Sequence, residues 1–197
     1  MSSTRKRHSV IFLFLSCVCI VAFLAGIVGG ALIAAGGIHL YRIPSNSMSP
    51  TISTGDSFIV ERITYCFSQP KRGDIVAIST DELPVPYDKK ELFCQRIIGV
   101  PGDLLEVKFG RIHVNGCPLS ECKPPVAPTD RIGPSAAYLR YLAENGNQFF
   151  VPEEKYFLIG DNLADSLDSR YLGPSSRKSI LGKVAVIMHS GHWKEVR

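Results

Sequence analysis

Charged side chains are absent from residues 9–38 but recur throughout the rest of the chain. A helix rises about 1.5 Å per residue, so about 20 apolar residues span the hydrocarbon core of a bilayer. The pattern therefore predicts a transmembrane helix over residues 9–38. Arg5, Lys6 and Arg7 form a basic tail over residues 1–8, which predicts a cytoplasmic N-terminus and an exported remainder.

A cleavable signal peptide is the competing interpretation of this apolar run. Its apolar region would cover about 7–15 residues and end at an Ala-x-Ala-like site. The run here is about twice that length, and the small residues Ala34, Ala35, Gly36 and Gly37 offer only a loose cleavage signal. We therefore favour the anchor.

Residues 39–197 are predicted to form one exported domain of mainly antiparallel β structure. Short runs rich in Val, Ile and Phe alternate there with Gly and Pro turns. Phe109-Gly110 predicts a hairpin, and Asn115-Gly116 predicts a further turn. Residues 135–144 have the pattern of one short inserted helix. The predicted strands are residues 57–62, 74–79, 93–98, 104–108, 111–115, 156–159 and 183–189.

Composition and charge narrow the function classes. The chain is 45% hydrophobic and 20% charged, which excludes a disordered chain or a coiled coil. The formal net charge of +4 lies mostly in the basic tail, so no nucleic-acid partner is expected. Cys117 and Cys122 either close a short disulfide loop in an oxidising compartment or remain two thiols. No zinc-site spacing is present in the sequence, and neither a metal nor a cofactor is expected.

Three polar segments carry the candidate chemistry. They are residues 44–51 (PSNSMSPT), 95–103 (QRIIGVPGD) and 160–173 (GDNLADSLDSRYLG). Each segment alone is typical of ordinary turn structure, because Ser, Asn, Asp and Gly dominate turns. Their order behind a single apolar run is more informative than any one of them.

Together these segments resemble the bacterial type I signal peptidase family. The family's Ser-x-Ser-Met-x-Pro-Thr segment is matched by residues 45–51, and its following Gly-Asp by Gly55-Asp56. Residues 72–76 match its Arg-Gly-Asp-[Ile/Val]-Val segment, and residues 96–103 match its Arg-Ile-Ile-Gly-x-Pro-Gly-Asp segment. Residues 160–173 match its Gly-Asp-Asn-x-x-x-Ser-x-Asp-Ser-Arg-Tyr-x-Gly segment. The resemblance covers nearly all of residues 9–197.

The resemblance implies a membrane-anchored serine endopeptidase that removes signal peptides at Ala-x-Ala-like sites. It implies a single-pass protein of the bacterial cytoplasmic membrane, with an antiparallel β catalytic domain on the exported side. The implied partners are exported preproteins, the lipid bilayer and the secretion translocon.

The same resemblance implies residue roles. Ser47 would be the nucleophile, and Ser45, or its neighbouring backbone, would help the Ser47 amide to form the oxyanion hole. Ser166 would orient the general base. Supporting roles would fall to Met48 beside the substrate cleft and to an ion pair of Asp168 with Arg170.

One position departs from the family pattern. The residue before Arg96 is normally a lysine that acts as general base, and here it is Gln95. A serine hydroxyl is a poor nucleophile until a base activates it. A buried lysine can serve because desolvation lowers its pKa, whereas a carboxamide is an extremely weak base. Arg96 cannot substitute, since a guanidinium stays protonated.

Four explanations of Gln95 stay open. The first is that another base, such as Lys89, Lys90 or His113, reaches Ser47. The second is an enzyme that is only weakly active, with water in place of a base. A pseudopeptidase that binds signal peptides or a membrane partner without cutting is the third, and a sequence error or engineered change is the fourth. Conjugative-transfer peptidases share the end of the third segment and are a further alternative. We favour the peptidase.

Overall fold

The computed structural model describes residues 2–34, 36–82, 92–121 and 148–196, and the side chains of the first helix only over 15–31. The predicted helix at 135–144, Cys122, Lys89 and Lys90 therefore lie outside the described residues. The chain divides into two compact units, Met1–His39 and Leu40–Arg197.

The first unit consists mainly of one long helix, α1 (Ser2–Ala34). Its described part exposes large apolar side chains, such as Leu15, Val21 and Phe23. Gly36 adopts a left-handed φ of 69°, which glycine tolerates best and which commonly ends a helix. Among residues whose side chains are described, no helix is both long enough and apolar enough to cross a membrane.

The second unit is mainly antiparallel β structure, as the sequence predicts. Its short helices are α2 (Thr64–Phe67) and α3 (Ser169–Leu172), with 3₁₀ turns at Thr80–Glu82 and Arg177–Ser179. The strands are β1 (Ile38–Arg42, which begins in the first unit), β2 (Ser57–Glu61), β3 (Ile75–Ser79), β4 (Leu92–Gly99), β5 (Leu104–Lys108), β6 (Arg111–Val114), β7 (Cys117–Pro118), β8 (Gln148–Phe150), β9 (Lys155–Ile159), β10 (Ser175–Ser176), β11 (Ile180–His189) and β12 (His192–Glu195).

The strands form two sheets. The larger has eight strands in the order β1-β2-β11-β3-β4-β9-β10, with β12 paired to β11. The smaller has the order β7-β6-β5-β8. The predicted hairpin is confirmed, because Lys108 pairs with Arg111 and both Phe109 and Gly110 have positive φ, as a type I′ turn requires.

Strand β4 is the element that positions the candidate site. It lies between β3 and β9, and its residues are almost all buried. Gln95 and Arg96 are 3% and 6% exposed, which is unusual for side chains of this polarity. Each must therefore find a partner inside the protein.

A hydrophobic cluster beneath the 44–52 segment holds that segment in place. Met48 and Ile52 are completely buried and pack with Phe58, Ile75 and Val184. Burying one side chain of this size contributes about 1.5–3 kcal/mol relative to leaving it exposed. The Ser-rich turn is therefore anchored from below, while its polar residues remain near the surface.

Candidate active site

A cleft of about 250 Å³ brings Ser45, Ser47 and Gln95 together. The serines come from the 44–52 turn and the glutamine from β4, so the fold joins two of the three polar segments found in the sequence. The third segment also lines the cleft, through Asp165 and Leu167. The described lining residues are Ile43, Pro44, Ser45, Ser47, Leu92, Phe93, Cys94, Gln95, Asp165 and Leu167.

The two serine hydroxyls are hydrogen-bonded to each other. Ser45 Oγ lies 3.1 Å from Ser47 Oγ, and either can be the donor. The turn is closed by backbone hydrogen bonds from Ser49 to Asn46 and from Ile52 to Met48. Ser47 is thus held on a tight turn at the edge of the cleft, a geometry that suits a nucleophile.

The turn is also fixed from the opposite loop. The backbone N–H of Asn162 donates to the Ser47 carbonyl over 3.0 Å, and its side-chain Nδ2 donates to the Asn46 carbonyl over 3.1 Å. Sequence reasoning gave Asn162 no role. Its position directly after Gly160-Asp161, in the third polar segment, was the available signal.

Gln95 makes a hydrogen bond that does not involve Ser47. Its Nε2 donates to the Leu167 carbonyl over 2.7 Å. Within the described residues, the hydrogen bond of Ser47 Oγ is to Ser45 and none joins it to Gln95. Gln95 therefore acts in this structure as a hydrogen-bond donor to the loop that contains Leu167.

The Ser166 hydroxyl is buried next to Gly160. Its Oγ makes no hydrogen bond with any described residue. A Cβ added at Gly160 would lie 2.7 Å from Ser166 Cβ and would also collide with the Ser47 carbonyl. Ser47, Gly160 and Ser166 are consequently packed against one another, with room for glycine alone between the two serines. An unsatisfied buried hydroxyl costs about 1–3 kcal/mol.

Asp168 and Arg170 form a completely buried ion pair. Arg170 Nε donates to Asp168 Oδ1 over 2.8 Å, and Nη2 donates to Oδ2 over 2.9 Å. The pair holds the loop internally, since Asp168 also accepts from the Gly160 N–H and Arg170 Nη1 donates to the Leu163 carbonyl. A bidentate ion pair of this kind combines electrostatic attraction with a fixed geometry.

A second buried ion pair lies behind the cleft and was not foreseen. Arg96 donates two hydrogen bonds to Asp161, of 2.8 and 2.6 Å, and a third to the Gly73 carbonyl. Thr51 Oγ1 also donates to Asp161. The pair therefore links β4, the loop after β9 and the 44–52 turn.

Met48 does not line the cleft, and neither Cys94 nor His113 is suited to accept a proton from Ser47. Met48 is completely buried in the core below the turn. Burial, with a smaller effect of the Asp161 charge, raises the pKa of the Cys94 thiol, so this thiol stays neutral at neutral pH. His113 lies on β6 in the smaller sheet, where its Nδ1 is 3.3 Å from the Arg111 carbonyl oxygen.

A sequence model of the family described as "Signal peptidase, peptidase S26" matches residues 11–189. The chain belongs to this signal peptidase family. The prediction of a signal peptidase I-like serine endopeptidase is therefore confirmed at the level of the family.

Two bacterial relatives agree with this assignment. A signal peptidase I of Leptolyngbya laminosa is 33% identical over 166 residues, covering 81% of this chain and 75% of the relative. A signal peptidase I of Bacillus licheniformis is 34% identical over 181 residues, covering 91% and 89%. The crystal structure of a signal peptidase I from Enterococcus faecalis V583 is 27% identical with a TM-score of 0.38, covering 59% of this chain and 97% of that one.

The predicted disulfide remains a prediction in this signal peptidase-family chain. Cys117 is half-buried, and its Sγ donates to the Pro118 carbonyl over 3.6 Å. Its proposed partner, Cys122, lies outside the described residues.

Proposed function

We propose that this protein is a membrane-anchored serine endopeptidase of signal peptidase I type, which removes N-terminal signal peptides from exported preproteins. The observation that carries the proposal is the cleft in which Ser47 meets Ser45 and residue 95. Family membership supplies the reaction class, and the cleft supplies a site for it.

Ser47 acts in this proposal as the nucleophile. Its Oγ attacks the carbonyl carbon of the scissile peptide bond and forms a tetrahedral intermediate, while the hydroxyl proton passes through water toward the leaving nitrogen. The Ser47 amide and the Ser45 hydroxyl stabilise the oxyanion, since donors placed before the reaction cost no reorganisation. The C–N bond then breaks, the new amine takes up a proton, and water hydrolyses the acyl-enzyme to release the signal peptide.

The walls of the cleft support a substrate with small apolar side chains before the cut. Ile43, Pro44, Leu92 and Phe93 contribute apolar surface. A volume of about 250 Å³ is too small for several large side chains at once. Ala-x-Ala-like sites are the substrate class that fits.

The sequence supports membrane anchoring through α1. Residues 9–38 carry no charge, and the basic residues lie only before them in this region. We propose one pass through the bacterial cytoplasmic membrane, with a cytoplasmic N-terminus. The catalytic domain then lies on the exported side, where preproteins leave the translocon and Ser47 is close in sequence to the anchor.

A second candidate function is signal-peptide binding without cleavage. Two observations favour it: residue 95 is a glutamine that donates to the Leu167 carbonyl, and the Ser166 hydroxyl has no partner among the described residues. Both are expected of a peptidase scaffold that has lost its base. In other serine proteases, removing one member of the catalytic group leaves about 10³–10⁴-fold catalysis over water.

A cleavage assay separates the two functions. The full chain in detergent micelles is incubated with a preprotein carrying an Ala-x-Ala site, and the Ser47→Ala, Gln95→Lys and Gln95→Leu variants run alongside. We expect slow cleavage by the wild type, none by Ser47→Ala, and at least about 100-fold faster cleavage by Gln95→Lys. Gln95→Leu is the matched control, because it changes the same side chain without adding a base.

The other outcomes are equally informative. Wild-type protein that binds the preprotein but does not cut it, together with an active Gln95→Lys variant, supports the binding function. Wild-type cleavage that survives Ser47→Ala excludes Ser47 as the nucleophile and overturns the proposal.

A further inference from the structure

The cleft contains a single ionised group among its described lining residues. Ile43, Pro44, Leu92, Phe93 and Leu167 are apolar, and Ser45, Ser47 and Gln95 are neutral. The buried Cys94 thiol is neutral as well, because burial raises its pKa. The carboxylate of Asp165 therefore sets the charge of the described cleft walls.

Asp165 differs from the other acids of its loop. Asp161 and Asp168 are buried and tied into ion pairs with Arg96 and Arg170. Asp165 is exposed, and its carboxylate makes no hydrogen bond or ion pair with any described residue. Those two acids stabilise the loop, and the third is left available to a molecule in the cleft.

The backbone fixes where the Asp165 side chain begins. Its N–H donates to the Asn162 carbonyl over 3.1 Å, and Asn162 in turn donates to the Ser47 carbonyl. The charge is thus attached through one residue to the turn that carries the nucleophile. A carboxylate with a fixed origin beside the reacting serine can discriminate between substrates at that position.

Asp165 is not positioned as the missing proton acceptor. The described hydrogen bond of Ser47 Oγ is made with Ser45, not with Asp165. A general base needs hydrogen-bond reach to the proton that it removes. A charge that lines the cleft without a described hydrogen bond to Ser47 is suited to recognising the substrate instead.

We propose that Asp165 is a specificity-determining residue, which favours preproteins with a lysine or arginine beside the cleavage site and disfavours acidic ones. The proposal deepens the proposed function and rests on it. A cationic side chain gains an ion pair with an otherwise unpaired carboxylate, whereas an acidic one meets a like charge. Apolar walls around the charge reduce screening by water relative to an open surface.

The test measures binding, so that catalytic competence does not enter. The full-length Ser47→Ala protein in neutral detergent is titrated with fluorescent signal peptides that share one Ala-x-Ala site. Lys, Gln or Glu stands in turn at the middle position of the site and at the first two positions after the cut. At one or more positions we expect the Lys peptide to bind about 3- to 10-fold more tightly than the Glu peptide, with Gln between them.

Three comparisons tie such a preference to Asp165. Asp165→Asn should reduce the Lys-to-Glu ratio to about 1, and Asp165→Lys should reverse it. Glu153→Gln is the matched control: it also removes one exposed negative charge, but outside the cleft lining, and should leave the ratio unchanged. Raising the salt from about 50 to about 500 mM should weaken the ratio in the parent protein, since salt screens exposed charges.

The outcomes separate this proposal from the function on which it rests. Tight binding of all peptides with equal affinity overturns the role of Asp165 and leaves the peptidase proposal intact. A Lys-to-Glu preference that survives both Asp165 substitutions also overturns the role of Asp165 and leaves the peptidase proposal intact. Failure of every peptide to bind overturns the proposed function and the specificity role with it.

Discussion

The backbone N–H of Asn162 donates a 3.0 Å hydrogen bond to the carbonyl oxygen of Ser47. This contact joins the loop after β9 to the turn that presents the serine, and Gly160 lies directly beside it. A Cβ at Gly160 would meet both Ser166 and the Ser47 carbonyl. The close approach of the two segments therefore depends on a residue without a side chain.

Gly160→Ala should separate these segments. We expect a loss of about 2 kcal/mol in the free energy of unfolding, because overpacking a tight interior typically costs 1–3 kcal/mol. When Gly160→Ala is added to the Gln95→Lys variant, the rate of peptide cleavage should fall by about 100-fold, because small displacements of reacting groups slow a reaction strongly. Urea unfolding and the cleavage assay measure the two effects.

Gly30→Ala is the control for this substitution, because a Cβ there meets nothing within 4 Å. Unchanged cleavage by Gly160→Ala would show that Ser47 and Ser166 can move apart without loss of function.

The Asp168–Arg170 pair should dominate the stability of the loop. Asp168→Ala leaves a completely buried guanidinium unpaired, which typically costs about 3–5 kcal/mol. The double variant Asp168→Ala/Arg170→Met should cost less than the sum of the single variants, with a coupling of about 1–3 kcal/mol. Urea unfolding of the four proteins measures this double-mutant cycle.

Lys108→Met serves as the comparison for a surface pair. Lys108 contacts Glu106 over 3.0 Å, but its side chain is 49% exposed. The loss in the free energy of unfolding should therefore be much smaller than for the buried pair. Additive effects of the Asp168 and Arg170 substitutions would contradict a direct energetic link between them.

The Gln95→Lys variant should acquire a pH dependence that the wild type lacks. Position 95 is buried, so desolvation lowers the pKa of a lysine there. Only the neutral amine accepts the Ser47 proton, so cleavage should rise with pH through that lowered pKa and then level off. Rate measurements between about pH 5 and 10 test this, with the wild type as control. A flat profile for the variant would exclude the lysine as general base.

The contribution of Tyr65 to the free energy of unfolding should decrease at alkaline pH. Its hydroxyl donates to Asp74 over 2.9 Å, and burial first, then the Asp74 charge, raises its pKa. The folded state thus retains the proton when the unfolded state has lost it, so this contribution is complete below about pH 10 and is lost as the pH rises further.

Tyr65→Phe removes that dependence. At pH 7 we expect the variant to be about 1 kcal/mol less stable, because one hydrogen bond is lost. The difference should shrink at about pH 11, since the wild type alone declines through this group. Urea unfolding at both pH values tests the prediction, and an identical alkaline decline in both proteins would refute it.

Local patterns were sufficient to predict much of the β structure. The bounds of β5 match the predicted residues 104–108, because its apolar run is closed by a turn with positive φ at Phe109 and Gly110. Strand β11 begins at Ile180, earlier than the predicted residue 183. Gly182 obscured its start, since glycine weakens a strand pattern. The structure uses that glycine where a Cβ would strike the Glu61 backbone.

Partners that are distant in sequence could not be predicted in the same way. Arg96 and Asp161 are 65 residues apart and meet only because β4 pairs with β9. Nothing in either segment alone specifies that pairing. Asp165 was likewise recognisable as a loop acid but not as a cleft residue, because its exposure depends on how the loop folds over β4.

Two neighbouring residues of β4 perform unrelated tasks. Gln95 lines the cleft, whereas Arg96 is bound to Asp161 behind it, and successive strand residues point to opposite sides. Residue 95 can therefore be exchanged while the anchoring of the strand stays with its neighbour. Under the proposed function, one substitution at position 95 would therefore change proteolytic activity and leave the anchoring of β4 unaltered, so that activity could be lost or regained independently of stability.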